Sequence, residues 1–123
     1  MKAVLLIISL LISGSACAEW TLIHSNRDAD FYFDFSTIRK EANFRKIWGM
    51  ASYKIRPPTG EMSFRARKEF DCKEERYRFI NLTVFDEPMT KGKILSNSEL
   101  VNGWNSIAPE TVDEVMFKVV CAK

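Results

Sequence analysis

The sequence is poor in the residues from which most catalytic and metal sites are built. Its 123 residues include one histidine, His24, and three cysteines. A single imidazole excludes catalysis or metal binding that depends on several histidines. An excess of one charge is also lacking, because 18 Lys and Arg residues against 16 Asp and Glu residues leave a net charge of +2. This balance provides no general attraction to nucleic acid or to an anionic membrane, so we expect neither as a partner.

Recognisable catalytic spacings are absent as well. No nucleophile–base pair, metal-ligand cluster or phosphate-binding glycine loop can be assembled from the sequence. We interpret acidic neighbours such as Glu74 and Glu75 as turn residues and not as a facing acid–base pair. His24 lacks a partner of the kind found in catalytic triads, and we interpret it as an exposed histidine at a strand end. We therefore expect a protein that is not an enzyme and uses no cofactor.

Only one long apolar run is present, and it lies at the start of the chain. Residues 3–12 follow Lys2 and precede the small residues 16–18. The run is too short for a permanent membrane span, which needs about 20 residues, and its flanks are typical of a signal peptide. We expect residues 1–18 to be cleaved and residues 19–123 to form a single exported domain without a transmembrane segment. Such a domain lies in the periplasm or at the cell surface.

A competing interpretation makes Cys17 the lipid-modified first residue of a lipoprotein. The lipid-modification motif normally has a branched apolar residue three positions before the cysteine, where this chain has Gly14. We therefore favour cleavage after Ala18 over a lipid anchor at Cys17.

Two cysteines, Cys72 and Cys121, remain after either kind of processing. An even pair in an exported, oxidising setting predicts a disulfide bond. Closing a loop of this length stabilises a fold by roughly 4 kcal/mol in the chain-entropy model. A redox-active pair is the alternative, but the wide spacing lacks the Cys-x-x-Cys pattern, and we favour a structural bond.

Alternation of apolar and polar residues predicts a sheet along most of the mature chain. The predicted strands cover residues 19–23, 31–35, 44–55, 62–72, 77–85 and 93–95. Residues 36–40 lead into a polar turn, residues 56–60 form a strong break, and residues 73–75 read as a hairpin turn.

The last element changes period, because Val112, Val115, Met116, Val119 and Val120 recur at helical spacing. We expect a helix with Pro109 in its first turn and with Ser106 or Thr111 as its cap. The valine content leaves a strand as the alternative. Together the elements predict an α+β fold, with a single antiparallel sheet of about five or six strands and a C-terminal helix packed on it.

Several short segments follow one another in the order typical of one family of exported bacterial proteins. These segments are residues 31–39 (FYFDFSTIR), Ile47-Trp48, Cys72-Lys73 with Arg76, Trp104-x-x-Ile107-x-Pro109, and the closing Cys121. Across residues 20–121 the chain resembles the surface-adhesin protein E family. The resemblance implies an antiparallel sheet with a C-terminal helix. It also implies an outer-surface protein that adheres to host extracellular-matrix proteins.

Four arginines on adjoining hairpin strands form the candidate partner-binding residues: Arg65, Arg67, Arg76 and Arg78. Such a stripe would suit an acidic partner. Acidic residues 69, 71, 74 and 75 lie among them, however, and opposite charges on neighbouring strands are ordinary sheet surface. We favour a self-neutralised face, with the binding stripe as the alternative.

Other candidate residues have structural interpretations that we favour. Asp34 either faces water or caps the turn that follows it, and a binding carboxylate is the alternative. We interpret Trp48 and Trp104 as aromatic residues of the core. The alternative is that they line a ligand pocket. Loops 56–61 and 86–103 are the expected contact surfaces, because exposed irregular segments on a rigid sheet commonly carry binding.

Two functions follow from these observations. The first is a non-enzymatic binding module that contacts host extracellular-matrix or cell-envelope proteins. The second is a soluble periplasmic domain that binds a small ligand or has a structural role in the envelope. An exposed edge strand also allows two copies to pair as a dimer.

The processing prediction is checked by the intact mass of the mature protein from its native-type host, measured without reductant. We expect a chain that begins at Glu19 with both thiols oxidised, recovered in the soluble periplasmic fraction. A mass that begins at an acylated Cys17, recovered in the outer membrane, would contradict this prediction.

Overall fold

A computed structural model of the protein describes residues 18–99 and 103–122, and the expected signal peptide up to Cys17 lies outside these ranges. The strands are β1 (Thr21–Ser25), β2 (Ala29–Glu41), β3 (Phe44–Tyr53), β4 (Ser63–Asp71), β5 (Arg76–Phe85), β6 (Ile94–Ser98) and β7 (Asn105–Ser106). One helix, α1 (Val112–Val120), follows them. The predicted antiparallel sheet with a C-terminal helix is confirmed. No helix in the described part of the chain has the length and apolar character needed to cross a membrane.

The sheet is a meander in which each of the first six strands pairs with its neighbour in sequence. The two-residue β7, which the sequence does not predict, pairs with Arg76 and Tyr77 at the start of β5. Strand β6 pairs with residues 82–85 at the other end of β5. The two halves of β5 therefore have different neighbours, and β1 forms the opposite edge of the sheet.

Strand β2 is longer than the sequence predicts. The alternation predicts a strand that ends near Phe35, with residues 36–40 leading into a polar turn near Glu41 and Asn43, yet β2 itself continues to Glu41. Its pairing with β3 is interrupted midway, where the backbone N–H of Trp48 donates to Thr37 Oγ1 at 3.0 Å. A side-chain hydroxyl thus replaces a backbone carbonyl, and the segment between Asp34 and Arg39 forms an irregularity within the strand. The predicted polar turn follows the strand, at residues 42–43. The other predicted strand ends lie within three residues of those observed.

The C-terminal element is a helix, as its periodicity predicts, but it begins later than expected. The sequence places Pro109 in the first turn, whereas the helix begins at Val112. Thr111 is the N-cap, since its Oγ1 accepts a hydrogen bond of 3.2 Å from the backbone N–H of Glu114. This bond satisfies one of the donors that the first turn leaves free. Ser106, the other candidate cap, lies in β7.

The helix packs on one face of the sheet and closes a small apolar core. Phe33, Ile47 and Phe70, on three neighbouring strands, are at most 1% exposed and pack with Met116 and Val120 of α1. The rings of Phe33 and Phe70 meet edge to face, with centroids 6.2 Å apart. Fully burying one such side chain contributes about 1.5–3 kcal/mol, so these contacts hold the helix in place.

The predicted disulfide joins Cys72 and Cys121, whose Cα atoms lie 5.6 Å apart. Cys72 directly follows β4, and Cys121 directly follows α1. The bond spans a sequence separation of 49 residues. It therefore fixes the C-terminal end of the helix to the end of a central strand and restricts the unfolded chain.

One charged side chain lies inside the interface between helix and sheet. Lys68 is 6% exposed, and its Nζ lies 3.5 Å from Asp113 Oδ1. The ring centroids of Phe79 and Tyr77 are 4.9 and 5.1 Å from the same nitrogen. Burial lowers the pKa of Lys68 to about 8, although Asp113 acts in the opposite direction. The folded protein therefore binds this proton more weakly than the unfolded chain does.

This pKa predicts how stability depends on pH. Between pH 8 and the ordinary lysine value of 10.5, the unfolded chain binds more protons than the folded protein, so the free energy of unfolding rises with pH. We expect the native protein to gain about 2 kcal/mol relative to Lys68→Met between about pH 7.5 and about pH 9.5 in denaturant titrations. The control Lys118→Met, at a side chain that is 72% exposed, should retain the rise. An equal dependence of the unfolding free energy on pH in the native protein and in Lys68→Met would contradict this account.

Candidate functional site

The face of the sheet opposite α1, called the helix-free face below, carries all four of the predicted arginines. Side chains alternate along β4, so Phe70 points to the helix while Arg65 and Arg67 point away from it. The register of β4 and β5 brings Arg76 and Arg78 to the same side. The pairing of β4 with β5 has a bulge between Arg67 and Lys68. Beyond this bulge, Asn81 and Thr83 of β5 lie opposite Arg67 and Arg65.

Two of these arginines are neutralised by carboxylates on the adjacent strand. Arg76 Nε lies 2.9 Å from Asp71 Oδ2, and Arg78 Nη2 lies 2.6 Å from Glu69 Oε1. Both carboxylates are buried. Burial alone would raise the pKa of Asp71, but hydrogen bonds from the Glu74 backbone N–H and the Arg76 side chain lower it below its usual value. At this end of the face the structure therefore confirms the self-neutralised arrangement.

Trp104 lies over the same two arginines. Its ring centroid is 4.5 Å from Arg76 Cζ and 4.2 Å from Arg78 Cζ, and the Phe44 ring lies beside it at a centroid distance of 6.0 Å. Both arginine distances are within the range of a cation–π interaction. The interpretation of Trp104 as a core aromatic is therefore wrong, since this residue covers an ion-pair cluster on the helix-free face.

Arg65 and Arg67, in the middle of the helix-free face, have a different environment. Within residues 18–99 and 103–122, neither forms an ion pair with a carboxylate. Arg65 Cζ lies 5.8 Å from the ring centroid of Trp48 and 5.5 Å from that of Phe85. Arg67 Nε is buried and has no hydrogen-bond acceptor in the described part of the chain. These two side chains therefore carry the positive charge that the face does not neutralise itself.

A surface depression of about 350 Å³ lies beside Arg65, between Trp20 and Trp48. Asp34 also lines it and is only 4% exposed. The Asp34 carboxylate accepts a hydrogen bond of 3.0 Å from the backbone N–H of Ser36. The structure therefore confirms that Asp34 caps the following segment, and the alternative that it faces water is wrong.

Residues 86–93 cover the other end of the helix-free face. Ser63 Oγ accepts a hydrogen bond of 2.9 Å from the Thr90 backbone N–H, and Ser52 Oγ accepts one of 3.1 Å from that of Met89. Both serines are buried beneath the segment. This part of a loop that the sequence predicts as a contact surface is therefore held against the sheet.

Between residues 18 and 99 and between 103 and 122, no three His, Cys, Asp or Glu side chains are grouped to hold a metal ion. His24 is half-buried, with its ring centroid 6.3 Å from that of Phe31, and is not the exposed residue that the sequence predicts. The space under the helix is only about 10 Å³.

Residues 20–122 match the family model described as surface-adhesin protein E. The chain belongs to the surface-adhesin protein E family. This confirms the resemblance carried by residues 31–39 and the other quoted segments. No curated protein matches the chain at a significant level.

Solved structures of protein E from Haemophilus influenzae share the fold of this family member. Crystal form II of that protein aligns with a TM-score of 0.63 at 16% sequence identity, over 86% of this chain and 89% of the other. Protein E from non-typeable Haemophilus influenzae aligns with a TM-score of 0.57 at 15% identity, over 82% of this chain and 75% of the other. At such low identity the likeness establishes the fold alone.

The sequence of this adhesin-family chain predicts the arginine face but not its division into two parts. The sequence does not show that Trp104 lies over Arg76 and Arg78, because that contact joins a loop to a distant strand. The available signal is the position of Trp104 itself, next to Gly103 and outside any alternating segment. An isolated aromatic in such a stretch often covers a surface cluster or forms a contact.

The stack of Trp104 on its arginines predicts a measurable coupling. We expect Trp104→Ala and Arg78→Met to be coupled by about 0.5–2 kcal/mol in a double-mutant cycle of unfolding free energies. The control cycle pairs Trp104→Ala with Arg65→Met, whose guanidinium contacts Trp48 and Phe85 instead, and should be additive. Additivity in both cycles would show that the stack contributes nothing to stability.

Proposed function

We propose that this protein is an exported, non-enzymatic binding module that contacts an acidic segment of another protein through its helix-free face. The partner is a host extracellular-matrix protein or a protein of the cell envelope. Membership of the surface-adhesin protein E family supports a binding role and an exported or surface location.

The observation that carries this proposal is the pair Arg65 and Arg67. Both are half-buried, lie on one strand at adjacent positions of the same face, and lack carboxylate partners in the described chain. The ring of Trp48 beside Arg65 adds an aromatic contact of the kind that is frequent in protein interfaces. Positive charge without an internal counter-ion favours an acidic partner.

The neighbouring arginines support the same assignment by contrast. Arg76 and Arg78 form ion pairs with Asp71 and Glu69 and are covered by Trp104. These contacts stabilise the fold and leave the two arginines less available to a partner. A partner that binds there must first compete with ion pairs already formed. The centre of the face is the part at which new contacts require no internal bond to break.

A second function rests on the depression between Trp20 and Trp48. Its volume of about 350 Å³ suits a small molecule, and its aromatic walls with Arg65 suit a ligand that combines a flat ring with an acidic group. In that case the protein is a soluble periplasmic domain and does not act in adhesion. Arg65 would contact the partner or ligand in both functions. Arg67 would do so only in the first, because it does not line the depression.

A dimer remains a prediction that concerns a different part of the molecule. Strand β6 pairs with β5 along a short stretch, and its Ile94 and Leu95 are 53% and 46% exposed. An edge strand with exposed apolar residues is a site at which a second chain can add.

The proposal predicts binding that depends on charge at the centre of the face. We expect saturable binding of the purified domain to an immobilised panel of matrix proteins that includes laminin and vitronectin. Arg65→Gln combined with Arg67→Gln should weaken it at least about tenfold, because each charge-assisted hydrogen bond contributes about 1.5–3 kcal/mol. Higher salt should weaken it as well.

The matched control removes two charges away from the helix-free face. Lys40→Gln with Lys118→Gln changes one exposed residue on the other face of β2 and one on α1, and should leave binding unchanged. Thermal unfolding of both variants checks that the fold is retained. Absence of saturable binding to the panel and to envelope extracts, or equal losses in both variants, would overturn the proposal. Loss with Arg65→Gln alone, together with binding of a small molecule, would favour the second function.

A further inference from the structure

The buried carboxylate of Asp34 accepts a bond from the first residue of the expected mature chain. The backbone nitrogen of Glu19 donates to Asp34 Oδ2 at 3.2 Å. The other carboxylate oxygen, Oδ1, accepts from the backbone N–H and the hydroxyl of Ser36. Asp34 is only 4% exposed, so this carboxylate is fixed in place before any partner arrives. The side chain therefore presents one oxygen to the Glu19 nitrogen.

Cleavage after Ala18 would change the chemistry of that nitrogen. Hydrolysis of the Ala18–Glu19 peptide bond consumes one water molecule. The carbonyl carbon of Ala18 gains the hydroxyl, and the nitrogen of Glu19 gains the proton when the bond between them breaks. At neutral pH the leaving carboxylic acid is ionised and the new amino group is protonated. A neutral amide donor thus becomes an ammonium donor at the same atom.

We propose that Asp34 is the binding site for the N-terminal ammonium group that signal-peptide cleavage creates at Glu19. Before cleavage, Asp34 and Glu19 are joined by a hydrogen bond between a carboxylate and a neutral amide. After cleavage, the same two atoms form an ion pair that is also hydrogen-bonded, which is the stronger kind of contact. The inference rests on the export and processing part of the proposed function and adds a residue that recognises the product of processing.

The charged groups around this site are few. The depression beside Asp34 is lined by Glu19 itself and by Arg65 of β4, while the β3 residue on its wall is the uncharged Trp48. The Arg65 guanidinium repels an ammonium group, and the Glu19 carboxylate attracts it. Because the Asp34 carboxylate is in direct contact with the nitrogen, it is the dominant influence on that group.

Anchoring the N-terminus here also shapes the candidate site. Glu19 and Trp20 line the same depression as Arg65 and Trp48. An N-terminus held at Asp34 keeps Trp20 against this wall. The ion pair would thus hold in place one side of the surface that contains Arg65.

The test compares two purified chains that differ only in their first residue. One begins at Glu19 and the other at Ala18, each released from a fusion partner, so neither depends on processing in a cell. In the second chain the Glu19 nitrogen remains an amide. We expect the α-amino pKa of the Glu19 chain to lie about one unit above the ordinary value of about 8, as an adjacent carboxylate predicts. The Ala18 chain, whose amino group lies one residue further from Asp34, should show a smaller rise, with both values read from NMR titration of the first residue.

The α-amino pKa is also measured in both chains after the substitution Asp34→Asn. The substitution should return the α-amino pKa of the Glu19 chain to about 8 and lower that of the Ala18 chain by less. If Asp34→Asn does not fold, the comparison of the two native-sequence chains still decides the question. Equal α-amino pKa values in those two chains would overturn the proposal.

Stability gives a second readout with a defined sign. A folded pKa above the unfolded one stabilises the Glu19 chain fully below about pH 8, and this advantage is lost as pH rises through about 9. Lys68 has the opposite trend in the same range, but both chains contain it, so their difference isolates the N-terminus. A higher melting temperature of the Glu19 chain at about pH 7 that vanishes at about pH 10 is expected. A constant difference between these pH values would contradict the proposal, whatever the binding experiments on the matrix proteins show.

Discussion

The structure depends on the packing of one short helix against one face of an antiparallel sheet. A helix of nine residues is marginal in water by itself, so α1 is stable because Met116 and Val120 are buried against the strands. The bond between Cys72 and Cys121 keeps its last turn beside a central strand even when local contacts loosen. Burial of Lys68 in the same interface opposes these contributions at neutral pH, because a lysine loses its hydration there.

Since the only α-helix of the described chain covers one face, the other face is closed by different means. Residues 86–93 cover one end through hydrogen bonds to buried serines, and Trp104 covers the other end over two ion pairs. Neither cover reaches the middle, where Arg65 and Arg67 lie without carboxylate partners in the described chain. A half-covered sheet thus combines a stable frame with a charged surface at which a partner can bind.

Much of this fold could be predicted from the sequence, because alternation and helical spacing are local properties. The disulfide followed from counting Cys72 and Cys121 in an exported chain. The extension of β2 could not be predicted, since the hydroxyl of Thr37 acts as an acceptor for a different strand and only the folded register shows it. The contact of Trp104 with Arg76 and Arg78 could not be predicted for the same reason, because it joins segments far apart in sequence. Sequence patterns identify which side chains share a face, but not which of them meet.

The four arginines show how register assigns different roles to identical side chains. In sequence they form one stripe, and composition alone cannot separate binding from self-neutralisation. The pairing of β4 with β5 places carboxylates opposite Arg76 and Arg78 but places Asn81 and Thr83 opposite Arg67 and Arg65. An amide and a hydroxyl cannot balance a guanidinium charge. Both interpretations of the stripe are therefore realised at once: the ion pairs stabilise one end of the face, and the unbalanced charge at its centre is the feature that a partner would recognise.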